Sequence, residues 1–419
     1  MRWLVDFFWL CACLIASPLL AIRLARRGGL GTLWRSRRGH VDAAEQAQAS
    51  DGPHVLLAAV SVGEVNALRA LVPLLVQSGA RVTIAVTTDT GMVRARSCFS
   101  QNARIVRFPL DLSRWVDRFL DAVTPDVVAL VELEVWPNFT GACARRGIPV
   151  QVIGGRLSAR SFSRYRLIRP LVRPMFARLA GVHAQDEEIA ERFTALGVPP
   201  DRVAVASSLK WDTLPRIEHD EAESFARRMG IDCSRPLVVV GSSAPEEHEC
   251  LRDAVPDGVQ LLCAPRRPEW WDDAAQVLDG CARWSEGATD CKTDRFLLDA
   301  IGVLSIAYHL ADVVVIGRSL GLADGRHGSD PIEPAALGKP VICGPAMDDF
   351  NSSTALLSAA EALCQVRPED LRGVLQALLE HPDKAKAMGQ RGADAIAAKR
   401  GASARACTRL LALAASTAH

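Results

Sequence analysis

The sequence has almost no net charge, only one pair of closely spaced cysteines (Cys11 and Cys13) and neither of the common nucleotide-binding glycine motifs. Its 419 residues carry a formal net charge of +1, which argues against a nucleic-acid partner recruited by an overall field. The twelve cysteines include no C-x-x-C pair, a pattern typical of reduced, buried thiols rather than disulfides or a zinc site. Because G-x-G-x-x-G and G-x-x-x-x-G-K-[ST] are absent, a dinucleotide enzyme or a P-loop NTPase is unsupported.

The amino-terminal end carries a long apolar run. Residues 3–22 are apolar except at two positions, one of which is Asp6, and about 20 apolar residues suffice to span a bilayer. Six arginines follow between residues 23 and 38, which predicts that the downstream chain stays in the cytoplasm. Only Arg2 precedes the run, so a secretory signal is disfavoured. We predict an uncleaved anchor that either spans the membrane or lies in its interface.

Beyond a polar linker, two series of apolar strands alternate with amphipathic helices. The first series starts at His54 and continues at residues 82–86, 105–108, 127–131, 150–153 and 181–184. The second comprises residues 237–240, 259–263, 313–316, 341–343 and 363–366, followed by an alanine-rich helical stretch from about residue 383. Continuous Val/Ile/Leu strands predict parallel sheets covered on both faces. Two Rossmann-like halves, with a boundary near residues 209–218, predict a cleft between domains.

The stretch from His54 to Glu64 reads as a buried strand, a tight turn at Gly63 and a carboxylate at a helix start. Helical spacing then continues at Val65, Leu68, Val72 and Leu75. Ligands of open parallel sheets bind at the carboxyl ends of strands, which predicts that Glu64 faces a cleft. The alternative is a glutamate that only stabilises the first helical turn through the dipole.

In the second half, Ser242 and Ser243 end a strand, and Pro245 opens a helix. Backbone N–H groups and two hydroxyls would be presented there to a phosphate, or the serines would merely cap the connection. Pro265 and Arg266 also follow a strand directly. A guanidinium there suits a phosphate or carboxylate, although a solvated surface arginine is the alternative.

Three further acids stand near strand or helix ends. Glu132 and Glu134 follow the strand 127–131, and in continued extended geometry they would share a face. Two acids in one cleft could raise the pKa of one towards acid–base work, or both could be solvated rim acids. Glu333 begins a helix and could accept both hydroxyls of a ribose, or simply complement the helix dipole.

Metal binding is not indicated by the sequence. Asp324, His327 and Asp330 share one loop, but a loop rich in Gly and Asp is usually only a loop. We therefore expect no metal and no bound cofactor.

Taken in order, the motifs of this chain resemble those of the 3-deoxy-D-manno-octulosonic acid (Kdo) transferases of lipopolysaccharide synthesis. The resemblance runs from the amino-terminal run to near the final helix. The motifs are Ala59-Val60-Ser61-Val62-Gly63-Glu64, Glu132-x-Glu134-x-Trp136-Pro137-Asn138, Arg156-Leu157-Ser158-x-Arg160-Ser161, Ala184-Gln185, Leu209-Lys210-x-Asp212, Pro265-Arg266-x-Pro268-Glu269, Ala311-Asp312 and Glu333-Pro334-Ala335-Ala336-Leu337-Gly338.

The resemblance implies an α/β protein of the GT-B fold, with two Rossmann-like domains facing a central cleft. It implies an inverting, metal-independent transfer of Kdo from CMP-Kdo to a lipid A precursor, lipid IVA, at the bacterial inner membrane. Glu64 falls on the general base. The implied donor-binding positions are Ser242, Ser243, Pro265, Arg266, Gly302, Asp330 and Glu333. The implied acceptor or cleft positions are Ser61, Gly63, Glu132, Glu134, Arg156 and Lys210.

The predicted domains are an anchor with its basic flank (1–38), an acceptor-binding domain (39–212) and a nucleotide-sugar domain (213–419) whose final helix either stays or crosses back. The catalytic domains would face the cytoplasm, with CMP-Kdo, the lipid A precursor and the inner membrane as partners and no nucleic acid. The oligomeric state is left open.

Departures from the family pattern cluster in the second domain. The family usually has Gly-Gly-His-Asn or Gln-Asn where this chain has His327-Gly328-Ser329-Asp330, and Gly-Glu where it has Gly302-Val303. Gly-Ser-Thr-His becomes Gly241-Ser242-Ser243-Ala244. Three interpretations stay open: Kdo transfer with a diverged donor pocket, use of another nucleotide sugar, or a catalytically weakened protein that binds lipid or nucleotide.

Overall fold

A computed structural model of the chain describes residue 6 and residues 35–41, 51–213, 217–287, 293–322 and 328–416. These divide into two units: the first runs to Thr213 and takes in the chain from Lys399 onward, and the second is Leu214–Ala398. Most of the predicted anchor lies outside the described residues. Among the residues described, no helix combines the length and apolar character needed to cross a bilayer.

The first unit is a seven-stranded parallel sheet with helices between the strands, in the order β3-β2-β1-β4-β5-β6-β7. The strands are β1 His54–Ala59, β2 Arg81–Val86, β3 Arg104–Arg107, β4 Val127–Val131, β5 Val150–Gly155, β6 Gly181–Ala184 and β7 Val203–Val205. The helices are α1 Val62–Ala67, α2 Leu71–Gln77, α3 Asp89–Phe99, α4 Ser113–Val123, α5 Pro137–Arg145, α6 Ala159–Leu167, α7 Arg169–Ala177 and α8 Glu187–Leu196.

The central strands of this sheet are buried on both faces. Every residue of β1 and of β4 is buried, because successive side chains of a strand point to opposite faces and helices cover both. Leu56 packs into one core cluster and its neighbour Leu57 into the other. This double coverage is why the strands read as uninterrupted apolar runs.

The second unit repeats the architecture with the strand order β10-β11-β9-β8-β12-β13-β14, again all parallel. Its strands are β8 Leu237–Ser243, β9 Gln260–Pro265, β10 Ala282–Arg283, β11 Arg295–Leu297, β12 Val313–Ile316, β13 Val341–Cys343 and β14 Leu363–Gln365. Its helices are α9 His219–Met229, α10 His248–Ala254, α11 Trp271–Val277, α12 Leu304–Leu310, α13 Ile332–Ala336, α14 Asn351–Ala359, α15 Leu371–Glu380 and α16 Pro382–Ala397. The α/β prediction of two parallel sheets is confirmed.

The final helix, α17 (Ala402–Ala415), belongs to the first unit. It packs against α2 through small side chains such as Ala406, and Leu410 is fully buried in the same core as β1. The two carboxylate oxygens of Asp212 cap its start, accepting hydrogen bonds from the N–H groups of Gly401 and Ser403 at 2.6 Å each. The structure therefore divides the chain one residue after the 212/213 boundary and returns residues from Lys399 to the first unit.

Candidate functional site

In the first unit, the strand order reverses between β1 and β4, which is where open parallel sheets bind ligands. Glu64 follows β1, and Glu132 and Glu134 follow β4. The three side chains lie close enough for their charges to interact, since Glu132 raises the pKa of Glu64 and both raise the pKa of Glu134. We call these three residues the carboxylate cluster.

Glu64 is held by the start of its own helix. The Ser61 hydroxyl accepts a hydrogen bond from the Glu64 N–H (3.3 Å) and donates to its Oε1 (2.9 Å), while the Val60 N–H donates to Oε2 (2.7 Å). The side chain is only 9% exposed. Burial raises the pKa of Glu64, against the opposing hydrogen bonds from Val60 and Ser61. Glu64 thus takes part in the cap of the helix together with Ser61, and it carries a buried carboxylate with raised basicity.

The predicted tight turn at Gly63 is wrong. Gly63 lies inside the first turn of α1 and has no positive φ, and a Cβ built on it would meet nothing closer than the Ser61 Oγ at 3.8 Å. The predicted single helix is also interrupted, because α1 ends at Ala67 and α2 begins at Leu71. Gly63 therefore leaves open space over the helix start that holds Glu64.

Glu132 and Glu134 do come together, but not in the extended geometry that the sequence suggested. Glu132 has a left-handed φ of 59°, its N–H donates to the Ile153 carbonyl, and its own carbonyl accepts from the Arg156 N–H. The chain therefore turns immediately after β4. The Glu134 carboxylate accepts a hydrogen bond from Trp136 Nε1 at 2.8 Å.

The pKa of Glu134 is raised to about 7, chiefly by burial, with the charges of Glu64 and Glu132 adding to the effect and the Trp136 hydrogen bond opposing it. Glu134 is thus partly protonated at neutral pH. Of the two acids after β4, Glu134 has the raised pKa, and burial contributes more to it than the neighbouring charges do; its role in acid–base work stays a prediction.

Two cationic residues border the cluster. Lys210 Nζ lies 3.4 Å from Glu132 Oε1, with the lysine half exposed, which makes this a solvent-screened ion pair. The Arg156 side chain is exposed. Arg156 directly follows β5, and Lys210 lies in a short 3-10 helix, Leu209–Asp212, that comes after β7.

In the second unit, the corresponding reversal of strand order lies between β8 and β12. Here the predicted phosphate cradle is wrong in part. The Ser243 hydroxyl is fully buried against His248 Nε2 (3.0 Å) and Cys263 Sγ (3.1 Å), because Ser242 takes a left-handed φ of 60° that turns the chain. Ser243 therefore packs in the core instead of presenting its hydroxyl to a ligand.

The backbone donors at this point are taken by the chain itself. The carboxylate of Glu247 accepts hydrogen bonds from the N–H groups of Ala244 (3.3 Å), Arg318 (2.6 Å) and Leu320 (3.1 Å). Glu247 is 3% exposed, and burial raises its pKa while these hydrogen bonds lower it. A built-in anion thus joins the loops after β8 and β12. The sequence showed Glu247 only as one of two adjacent acids, so its role was missed.

The other donor-side residues gather around Tyr308, which the sequence reasoning also missed. The Tyr308 hydroxyl reaches the backbone of β8 near its carboxyl end, since a Cβ on Gly241 would lie 1.8 Å from it. Burial raises the Tyr308 pKa, and the charges of Glu333, Asp330 and Arg266 act on the same phenol. These three predicted donor residues are therefore brought together in one place.

The three side chains around Tyr308 differ in their hydrogen-bond partners and exposure. Glu333 lies in the first turn of α13 and accepts a hydrogen bond from the Ser305 hydroxyl. Asp330 accepts from the Ile332 N–H at 3.2 Å, and Arg266 is exposed at the carboxyl end of β9, directly after the buried Pro265.

The exposed Gly302 has a φ of +95°, a conformation that favours glycine. It precedes α12, the helix that carries Tyr308. Within the described ranges, no group of three or more His, Cys, Asp or Glu side chains is arranged to hold a metal. Asp324 and His327 of the loop considered above lie outside those ranges.

Comparisons with known proteins point the same way. Residues 32–213 match the family described as 3-deoxy-D-manno-octulosonic-acid transferase (kdotransferase). A 3-deoxy-D-manno-octulosonic acid transferase of Bordetella pertussis is 31% identical over 411 residues, 91% of this chain and 92% of the relative. One of Chlamydia muridarum is 26% identical over 407 residues, 93% of each.

Among solved structures, a glycosyltransferase of Rickettsia africae matches 86% of this chain and 98% of its own at 11% identity, with a TM-score of 0.54. At that identity the match speaks to the fold alone. Together with the two parallel sheets, it confirms the predicted GT-B fold class.

Proposed function

The chain belongs to the Kdo transferase family, and on that premise we propose that it transfers Kdo from CMP-Kdo to a lipid A precursor, lipid IVA, with inversion at the anomeric carbon. The family predicted from the ordered motifs is thus the family found, and the chain is a glycosyltransferase. The observation that carries the proposed chemistry is Glu64, a buried carboxylate with a raised pKa at the point where the strand order of the first sheet reverses.

In the proposed reaction, Glu64 removes the proton from the attacking hydroxyl of the acceptor. That oxygen bonds to the anomeric carbon of Kdo, the bond from this carbon to the CMP phosphate oxygen breaks, and CMP leaves as the anion. A general base needs a pKa near the working pH, and burial moves Glu64 in that direction. The hydrogen bonds from Val60 and Ser61 fix the carboxylate in one orientation.

Glu134 supports this step by holding a proton. With a pKa of about 7, it spends part of its time neutral, which reduces the repulsion that Glu64 would feel from two ionised neighbours. Glu132 is balanced by Lys210. We assign Ser61, Gly63 and Arg156 to the surroundings of the acceptor, because Ser61 and Gly63 lie at the start of α1 with Glu64, and Arg156 directly follows β5.

For the donor, we propose that Arg266 meets the single phosphate of CMP-Kdo and that Glu333 accepts the ribose hydroxyls. Pro265, Gly302, Asp330 and the backbone at Ser242 would border the nucleotide. We propose that no metal or bound cofactor takes part, since a guanidinium can balance one phosphate. Ser243 is left out, because its hydroxyl is used in the core.

The proposed location is the bacterial inner membrane, with both units on the cytoplasmic side and the apolar amino-terminal run as the anchor. The anchor would bring the site to an acceptor that is itself carried by a lipid in the membrane. We propose no nucleic-acid partner, in keeping with a net charge of +1.

The test is transfer of labelled Kdo by the detergent-solubilised full chain, from CMP-Kdo generated in place to tetra-acylated lipid A precursor. Glu64→Gln preserves the shape of the side chain and its hydrogen bond from the Val60 N–H, but removes the base. We expect the rate to fall by about 10²–10⁴-fold, with the thermal unfolding midpoint unchanged. The matched control is Glu188→Gln, an exposed carboxylate of the same unit, which should keep the wild-type rate.

A wild-type rate in Glu64→Gln would overturn the assignment of the base. Loss of transfer on adding a chelator would overturn the metal-free part of the proposal. No transfer by a folded chain that still binds CMP would overturn Kdo as the donor sugar, and would favour another nucleotide sugar, as the altered residues 241–244 and 327–330 allow.

A further inference from the structure

Helices α6 and α7 present an unusual outer surface in the first unit. No residue of α6 is buried. Large apolar side chains project into solvent at the junction of the two helices, with Leu167 84% exposed, Ile168 47% and Leu171 65%. Arg160, Arg164 and Leu167 follow helical spacing along one side of α6. We call the set Arg160, Arg164, Arg166, Leu167, Ile168 and Leu171 the α6–α7 surface.

The inner side of the same helices is well packed, so the exposed leucines are not a sign of a loose segment. Phe162 and Tyr165 pack against the core of the unit, and Val172, Met175 and Phe176 are buried in it. The Tyr165 and Phe176 rings meet edge to face with centroids 5.8 Å apart. The two helices are therefore a fixed platform. Because their inner sides are packed in the core, their apolar outer side chains stay exposed to solvent.

The surface is also strongly basic. From residue 135 to residue 185 the sequence contains nine arginines and no aspartate or glutamate. Arg160, Arg164 and Arg166 are exposed. Within the described part of the chain, the side chains of these three arginines make no hydrogen bond or ion pair. Cations next to apolar side chains, with no acid between them, complement a surface that offers both phosphates and hydrocarbon.

Two neighbours of this surface indicate what that partner is. Helix α7 packs against α5, and at the first turn of α5 the Asn138 Nδ2 donates to the carboxylate of Asp6 at 3.0 Å. Asp6 is followed directly in the sequence by the apolar run predicted to enter the membrane. On the inner side, the charge of Glu134 acts on Tyr165 of α6, adding to the effect of burial on its pKa, so the platform adjoins the carboxylate cluster.

We propose that the α6–α7 surface docks on the anionic phospholipid surface of a bilayer. Leu167, Ile168 and Leu171 enter the zone between head groups and acyl chains, and the arginines meet lipid phosphates. The phosphates of a nucleic acid would bind the arginines, but a nucleic acid would not bury the projecting leucine side chains in hydrocarbon. Only the role of this docking rests on the proposed function: docking would hold the carboxylate cluster beside a lipid-borne acceptor.

The experiment uses the full chain reconstituted with vesicles, with neither donor nor acceptor present. Leu171→Cys is labelled with a polarity-sensitive fluorophore in a Cys233→Ser background, since Cys233 is an exposed free thiol. The same chain without the added cysteine gives the blank. The matched control site is Val93→Cys in α3, where the side chain is 71% exposed. Vesicles contain either phosphatidylcholine alone or about one third phosphatidylglycerol.

We expect the label at position 171 to shift to the blue, and to be quenched by spin-labelled lipid, in the anionic vesicles. The label at position 93 should remain water-like in both. Reversing the three charges (Arg160→Glu, Arg164→Glu, Arg166→Glu) should lower the docked fraction at position 171 by roughly tenfold or more. The triple Arg→Gln variant provides a milder second test, with a smaller loss in the same direction.

Equal exposure of positions 171 and 93 in anionic vesicles would overturn the proposal. So would charge reversal without effect, or shielding of position 171 in vesicle-free solution, which would instead indicate self-association. Because the readout contains no sugar transfer, a failure here leaves the proposed reaction standing, and a chain inactive in transfer can still dock.

Discussion

Replacing Glu134 by Gln tests whether folding raises the pKa of this carboxyl group. Glutamine keeps the size of the side chain and an oxygen that can accept the hydrogen bond from Trp136 Nε1. It removes only the titration. In the wild type, the Glu134 pKa is raised from 4.5 to about 7 on folding, so the folded state holds this proton more tightly than the unfolded state does. The free energy of unfolding therefore falls as pH rises from about 4.5 to 7.

The size of the effect follows from the shift. Each pKa unit corresponds to about 1.4 kcal/mol, so a shift of this size would be about 3 kcal/mol for a fully shielded group. Glu134 is partly exposed, and screening by solvent reduces the value to about 1–2 kcal/mol. At pH 5 the folded wild type still holds the proton on Glu134, but the unfolded chain is already partly ionised, so the variant should be only slightly more stable than the wild type. At pH 8 the variant should be more stable by that amount.

Hydrogen–deuterium exchange of peptides covering β4 measures this difference in stability within the first unit. At pH 8, Glu134→Gln should exchange about 5–30 times more slowly than the wild type, and at pH 5 the difference should be about twofold or less. The control is Glu188→Gln, a carboxylate whose side chain is 72% exposed, which should change exchange by the same factor at both pH values. An exchange ratio for Glu134→Gln that is equal at pH 5 and pH 8 would refute the raised pKa of Glu134.

Three other predictions concern the framework of the two units. Glu247→Gln should lower the melting temperature of the second unit and speed exchange of residues 317–320, because a neutral amide accepts hydrogen bonds from three backbone N–H groups less well; unchanged exchange there would contradict this. Gly241→Ala should destabilise that unit by about 2–4 kcal/mol in a urea titration, since its Cβ would overlap the Tyr308 hydroxyl. Adding Tyr308→Phe to the same chain should recover part of the lost stability. Asp212→Asn should weaken the cap of α17 by about 1 kcal/mol, visible as faster exchange of residues 402–406 without a change in β12.

The strands that carry continuous Val and Ile were predictable almost to the residue. The bounds of β4, β12 and β13 agree with the sequence-based ones, because burial on both faces leaves an unbroken apolar signal. The short strands β7, β10 and β11 were missed. In β7, Val205 is 42% exposed at the edge of the sheet, so the pattern there does not differ from that of a loop.

The site was predictable where the location of a residue follows from the order of strands and helices. It was not predictable where a backbone turn determines the direction of the next side chains. The position of Glu64 after β1 follows from the order of strand and helix. By contrast, the left-handed φ values at Glu132 and Ser242 have no signature in residues that are not glycine. Each changes where the next side chains point, which is why the shared-face geometry after β4 and the phosphate role of Ser243 were wrong.

The return of α17 to the first unit has a consequence for the order in which the protein is made. The second unit is one continuous stretch, Leu214–Ala398, so all of it is available before synthesis ends. Most of the first unit emerges from the ribosome earlier, but the core around β1 lacks Ala406 and Leu410 until the chain beyond the second unit has been made. The half of the protein that begins first is therefore completed last, and until then its exposed core is a place where chaperones would bind.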